Sequence, residues 1–119
     1  MDTQALQSRM VGALAGALVG DALGAPVLWM YPSQIRIKHA RVLEMLGGGV
    51  LGLRPGEITD KSGLLLALLE SLCAHDGYSL DASVAAQMAW LAGWTRELDP
   101  GVHQARALLD PSVPAAELG

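Results

Sequence analysis

Between Met10 and Gly20 the chain carries no charged residue, and from Gly12 to Gly24 a glycine recurs at every fourth position. That spacing keeps the glycines on one slowly drifting stripe of a helix. Each glycine inside a helix costs up to about 1 kcal/mol relative to alanine, so the repetition predicts that another backbone packs closely against the stripe. The run predicts a first helix from Thr3 to Leu23, ended by Gly24, Ala25 and Pro26. A membrane span is the competing reading of such a stretch. Asp21 interrupts the apolar sequence and Pro26 breaks the apolar run from Ala22 to Tyr31, whereas a spanning helix needs roughly 20 apolar residues with no central charge. Asp2 precedes Arg9, and the start lacks the small-residue cleavage pattern of a secretory leader. The expectation is a soluble protein with no membrane partner.

Hydrophobic residues make up 51% of the 119 residues and charged residues 17%, a balance opposite to that of a disordered chain. Phe is absent, Ala and Leu dominate, and β-branched residues are sparse, which favours helices. The net charge of −4 comes without a basic run, so the sequence predicts no nucleic-acid surface. Cys73 is the single cysteine and forms no internal disulfide, which suits a cytoplasmic setting. It reads as a small buried residue rather than a reactive thiol.

Further helices are marked by turn and cap signals. Pro32 and Ser33 open a second helix, Ser33 to Leu46, which Gly47, Gly48 and Gly49 stop. Gly47 to Gly56 is then a loop. With no strand before it and no Lys-Ser/Thr after it, the triple glycine reads as a helix stop and turn, not a phosphate loop. Thr59 or Asp60 caps a third helix, Asp60 to Ala74, whose buried face is Leu64, Leu65, Leu68 and Leu72. Ser79 or Asp81 caps a fourth, Ala82 to Thr95, on which Trp90 and Trp94 stack and Val84, Met88, Leu91 and Thr95 share one side. Asp99 to Gly101 breaks the chain before a short helix ending at Leu109. Pro111 and Pro114 oppose regular structure in the tail, 111–119. The expectation is an all-α domain over 1–110 with four or five helices.

Three segments, in register along nearly the whole chain, resemble the ADP-ribosylglycohydrolase family, of the dinitrogenase-reductase-activating type. The first is Gly12–Val27, containing Gly-Asp-Ala-Leu-Gly-Ala-Pro at Gly20–Pro26. The second is Glu44–Gly49, succeeded by Pro55–Asp60 and Leu65–Ser71. The third is Asp99–Gly101 with Ala107 and Leu108. The resemblance implies a partial, N-terminal portion of an all-α array, a site for two divalent cations, usually Mg²⁺, and hydrolysis of the bond joining ADP-ribose to an arginine or serine side chain. Thr-Asp-Asp at a helix start suits such a site, because Mg²⁺ takes hard oxygen ligands and a helix N-terminus favours negative charge.

Departures from the family pattern are as informative as the matches. The family motif Thr-Asp-Asp-Thr reads Thr59-Asp60-Lys61-Ser62 here, so an ammonium replaces a carboxylate ligand. Leu28 stands where the first motif continues into a metal-associated, catalytic glutamate. The family's second acidic cluster lies further downstream than this chain extends. Thr59 and Asp60 are left as residual metal ligands, no catalytic residue is assigned, and Mg²⁺ is expected to be lost or weakly held. Asp99 and Gly101 fall where the family approaches the ribose and are the candidate ligand-binding residues, although His103 and Gln104 replace the usual threonine pair. Asp21 reads as a structural acid bonding neighbouring backbone, the Lys61 ammonium is expected near Asp60, and His39, His75 and His103 read as solvated. The functional expectation is a non-catalytic family protein that retains binding of ADP-ribose or of a protein partner. The alternatives are a subunit of a split Mg²⁺-dependent hydrolase, completed by another chain or a second copy, and a gene remnant. The leucine-rich third helix and the glycine stripe predict a homodimer or a complex with another protein.

Overall fold

The computed structural model describes residues 2–110; Met1 and the tail assigned to 111–119 lie outside the described residues. Among the described residues five α-helices run in the order α1 (Thr3–Gly24), α2 (Pro32–His39), α3 (Asp60–Ala74), α4 (Leu80–Ala92) and α5 (Pro100–Leu109), with a 3₁₀ turn at Ala25–Val27. The only β feature among them is an isolated antiparallel bridge between Gly48 and Leu53. The expected all-α class is therefore found. The chain divides into two compact units, Met1–Gly63 and Leu64–Gly119, so α3 contributes its first turn to one and its remainder to the other.

Local chemistry explains most boundaries. The Asp2 carboxylate accepts from the Gln4 N–H at 3.3 Å and caps α1. Ser79 caps α4 by accepting from Ala82 N–H at 3.3 Å, and Asp99 caps α5 by accepting from Gly101 N–H at 3.0 Å, with Pro100 in the first turn where its missing N–H costs nothing. Helix α3 spans the residues expected of it. Helix α4 is shorter at its C-terminal end than expected: it closes at Ala92, where Gly93 and Trp94 donate back to Trp90 and Leu91 three residues earlier. Trp94 thus lies beyond the helix, yet its ring still stacks on Trp90 with centroids 5.2 Å apart. Its indole N–H donates to the Glu97 carbonyl at 3.3 Å.

The second helix departs most. It ends at His39 instead of Leu46, with Ala40 at a φ of +55°. The glycines that looked like its stop lie eight residues further on and have another task. A Cβ on Gly49 would sit 2.6 Å from the Pro26 carbonyl oxygen, and one on Gly47 would sit 2.7 Å from the Pro55 nitrogen. Their φ values, +70° and +65°, lie in the left-handed region. The loop passes tightly against the end of the first helical segment, and this tertiary contact overrides the local preference for more helix.

Burial also differs from expectation. The leucines at 64, 65, 68 and 72 are only half-buried. The buried line of α3 is instead Asp60, Gly63, Ala67 and Ser71, spaced by three and four residues. No large side chain is fully buried among the described residues, and the apolar residues buried among them are Ala22, Ala25, Pro26, Leu53, Ala67, Leu91 and Ala107. Cys73 is exposed, contrary to the buried reading. On α1 only Ala22 is buried, and Leu6, Met10, Val11 and Val19 are exposed. A Cβ added at Gly12, Gly16, Gly20 or Gly24 meets nothing within 4 Å, so among the described residues of its own unit no backbone packs against the stripe. By length and composition alone, Thr3–Val27 is also apolar enough to cross a membrane.

Two substitutions separate these roles of glycine. Gly49→Ala should lower the free energy of unfolding by about 2 kcal/mol or more, because it adds a left-handed strain and a backbone clash. Gly12→Ala should raise it by up to about 1 kcal/mol, the helix-propensity difference. Urea unfolding of both variants measures this; a loss at Gly12→Ala would mean that another surface packs on the stripe.

Candidate metal and ligand site

The site is organised by a carboxylate near the end of α1. Asp21 accepts the backbone N–H of Thr59 at 2.8 Å, and the Thr59 hydroxyl lies 2.9 and 3.0 Å from its two carboxylate oxygens. Thr59 stands immediately before α3, and its carbonyl accepts from Gly63 N–H at 3.1 Å within the first turn. Asp21 does bond backbone, as expected of a structural acid, but that backbone is 38 residues away rather than neighbouring. A signal for this was present in the sequence. An acid close to a helix C-terminus faces the negative end of the macrodipole, so it needs donors from elsewhere. The approach to Thr59 is braced by Glu57, whose carboxylate accepts Arg54 N–H at 2.8 Å and whose own N–H donates to the Arg54 carbonyl at 3.0 Å.

Thr59 and Asp60 are brought together as expected, at 5% and 3% exposure, with Ser62 at 5%. Asp60 is the first residue of α3, where the helix N-terminus favours its charge. Its Oδ1 accepts the Lys61 N–H at 3.0 Å and lies 4.0 Å from the Lys61 ammonium. The ammonium therefore takes up the position near Asp60 that the sequence suggested, although the lysine side chain is 60% exposed. Leu28 comes directly after the 3₁₀ turn and lines an open cavity of about 610 Å³ with Pro26, Met30, Ile37, Lys38 and Val50.

By themselves these described side chains do not complete the ligand set of a divalent cation. Mg²⁺ asks for about six oxygen ligands. Thr59 offers one hydroxyl oxygen, Asp60 one carboxylate shared with Lys61, and both oxygens of Asp21 face Thr59. Among the described residues no group of three or more His, Cys, Asp or Glu side chains is placed to hold a metal ion.

Asp99 and Gly101 belong to the second compact unit, at the start of α5, whereas Thr59 and Asp60 belong to the first. They line a cavity of about 260 Å³ with Leu64, Met88, Leu91 and Arg106. A Cβ at Gly101 would sit 3.2 Å from Asp99 Oδ1, so a small residue there leaves room for the capping carboxylate. His75 is exposed, its ring Nδ1 3.0 Å from the Ser71 carbonyl, and His103 is exposed as well; His39 is half-buried.

The family model described as ADP-ribosylglycohydrolase matches residues 2–117, and the chain belongs to that family. Over 102 residues it is 38% identical to ADP-ribosyl-[dinitrogen reductase] glycohydrolase of Rhodospirillum rubrum, a match covering 85% of this chain and 34% of that protein. Over 60 residues it is 37% identical to ADP-ribosylarginine hydrolase Tri1 of Serratia proteamaculans (strain 568), covering 50% of this chain and 15% of that protein. The chain thus spans about a third of the length of the first relative.

Removing either end of the Asp21–Thr59 link should be costly. Asp21→Ala leaves the buried Thr59 N–H without its acceptor, and the expected loss is about 1–3 kcal/mol. Thr59→Val keeps the backbone donor and loses only the hydroxyl. Chemical denaturation of both single variants and the double variant should give a coupling energy of about 0.5–3 kcal/mol; strict additivity would show that the two residues do not act together.

Proposed function

We propose that this chain is a non-hydrolytic member of the ADP-ribosylglycohydrolase family that binds ADP-ribose weakly through its second unit. The observation that carries the loss of hydrolysis is the arrangement at the start of α3: one buried carboxylate, faced by a lysine ammonium, and no three-residue metal-donor cluster among the described residues. A two-cation hydrolase relies on metals to orient the ribose hydroxyls and activate water, and these residues do not supply the ligands for that step. The binding part of the proposal is supported by the names of both relatives, which act on ADP-ribosyl groups, and by the cavity beside Asp99 and Gly101.

A second reading is a subunit of a split Mg²⁺-dependent hydrolase, in which another chain or a second copy brings further acids. It is favoured by α1, whose apolar residues point to all sides and are mostly exposed, Ala22 alone being buried. Helices that are apolar all round belong in interiors. Either a homodimer or a complex with another protein would cover them. A cytoplasmic setting, with neither membrane nor nucleic acid as partner, is proposed from the lone cysteine and the acidic balance.

Purified chain incubated with an ADP-ribosylarginine peptide and Mg²⁺ should release no ADP-ribose above the protein-free control. Turnover that depends on metal and vanishes in Asp60→Ala would overturn the non-hydrolytic reading. Calorimetric titration with ADP-ribose should show binding that Asp99→Ala weakens, by about tenfold if one charge-assisted hydrogen bond of about 1.5 kcal/mol is lost.

A further inference from the structure

Asp60 is the only buried carboxylate among the described residues, at 3% exposure. An ionised carboxylate out of water needs compensation by charge or hydrogen bonds. Consecutive residues do not share a helix face, so Lys61 reaches Asp60 only because Asp60 begins α3 and its Oδ1 turns onto the Lys61 backbone N–H at 3.0 Å. The flexible lysine stem then lets the ammonium stay largely in water and still lie 4.0 Å from the same oxygen.

We propose that the Lys61 ammonium is the resident cation of this site, covalently tethered opposite Asp60 and closing that carboxylate to free divalent ions. A tethered cation has a local concentration of millimolar order or more whatever the solution contains, and its like charge repels an arriving metal ion. The pair is solvent-screened on the lysine side, so its direct gain is modest. Its consequence is occupancy: the carboxylate that a metal would use already has a counter-ion, and the start of α3 keeps its form without metal. The inference rests on the reading that this chain holds no Mg²⁺, and not on ADP-ribose binding, which is titrated separately and fails or succeeds by itself.

The test uses the full chain, with Mn²⁺ binding read from the electron paramagnetic resonance of the free ion. The unfolding midpoint is measured in MgCl₂ against NaCl at matched ionic strength. The native protein and Lys61→Arg should bind no Mn²⁺ and show no midpoint shift specific to Mg²⁺. Lys61→Met should unfold about 2–4 °C lower, gain weak Mn²⁺ association at the one uncovered carboxylate, short of a full ligand set, and recover the lost degrees in MgCl₂. The Asp60→Asn/Lys61→Met double variant should show neither binding nor recovery. Should Lys61→Met not fold, the double variant, which lacks the buried charge, should still fold; its failure to do so would sink the proposal. Mn²⁺ bound by the native protein, or a Lys61→Met variant indistinguishable from native in both readouts, overturns it.

Discussion

The Asp21 carboxylate, accepting both the N–H and the hydroxyl of Thr59, is the interaction on which the start of α3 depends. Near the C-terminal end of α1 this acid has the wrong sign for the local macrodipole. Just before α3, the Thr59 N–H is one of the donors that a helix start leaves without an intrahelical acceptor. Each group answers the other's deficiency. The bond also sets the backbone of Thr59, and with it the direction of Asp60 and Lys61. Its weight is greater because the apolar core is slight: mainly alanines and two leucines are buried among the described residues, and such side chains remove little area from water.

Helical class and the outer limits of α1 and α3 were legible because the signals are local: an apolar run punctuated by Gly24 and Pro26, and an acid-capped leucine segment. What could not be read is where burial is decided between segments. Leucine counts pointed to the wrong face of α3, since half-buried leucines flank a line of Asp60, Gly63, Ala67 and Ser71. Small residues form that line, and size, more than hydrophobicity, governs how closely backbones approach. Gly47–Gly49 misled in the same way. Their composition is that of a helix stop, but Gly49 is small because the Pro26 carbonyl lies against it. Of the site, Thr59, Asp60 and the nearness of Lys61 were readable from adjacency, whereas the partner of Asp21 was hidden by a separation of 38 residues. Asp99 and Gly101 were read for ligand binding, and their geometry adds a local task, that of capping α5.

Membership of the family and the proposed loss of its metal chemistry are compatible because they draw on different residues. The helical frame requires Asp21, Thr59 and the tight loop, all of which serve the chain's own backbone. The resemblance places the metal chemistry on carboxylates at positions 28 and 61, where this chain has leucine and lysine. Both positions lack the negative charge that the resemblance expects there, and both lie towards solvent: Leu28 borders an open cavity and Lys61 is mostly in water. A site can therefore change its electrostatics while the helices that carried it persist.

The distance along the chain between Asp21 and Thr59 also orders events in time. At about 5–20 residues per second of synthesis, the acceptor on α1 is made about 2–8 s before the donors that hold it. During that interval the uncharged stretch from Met10 to Gly20 is already complete, while Thr59 is still to be made. A ribosome making this protein thus completes the apolar helix before the segment that carries its anchor.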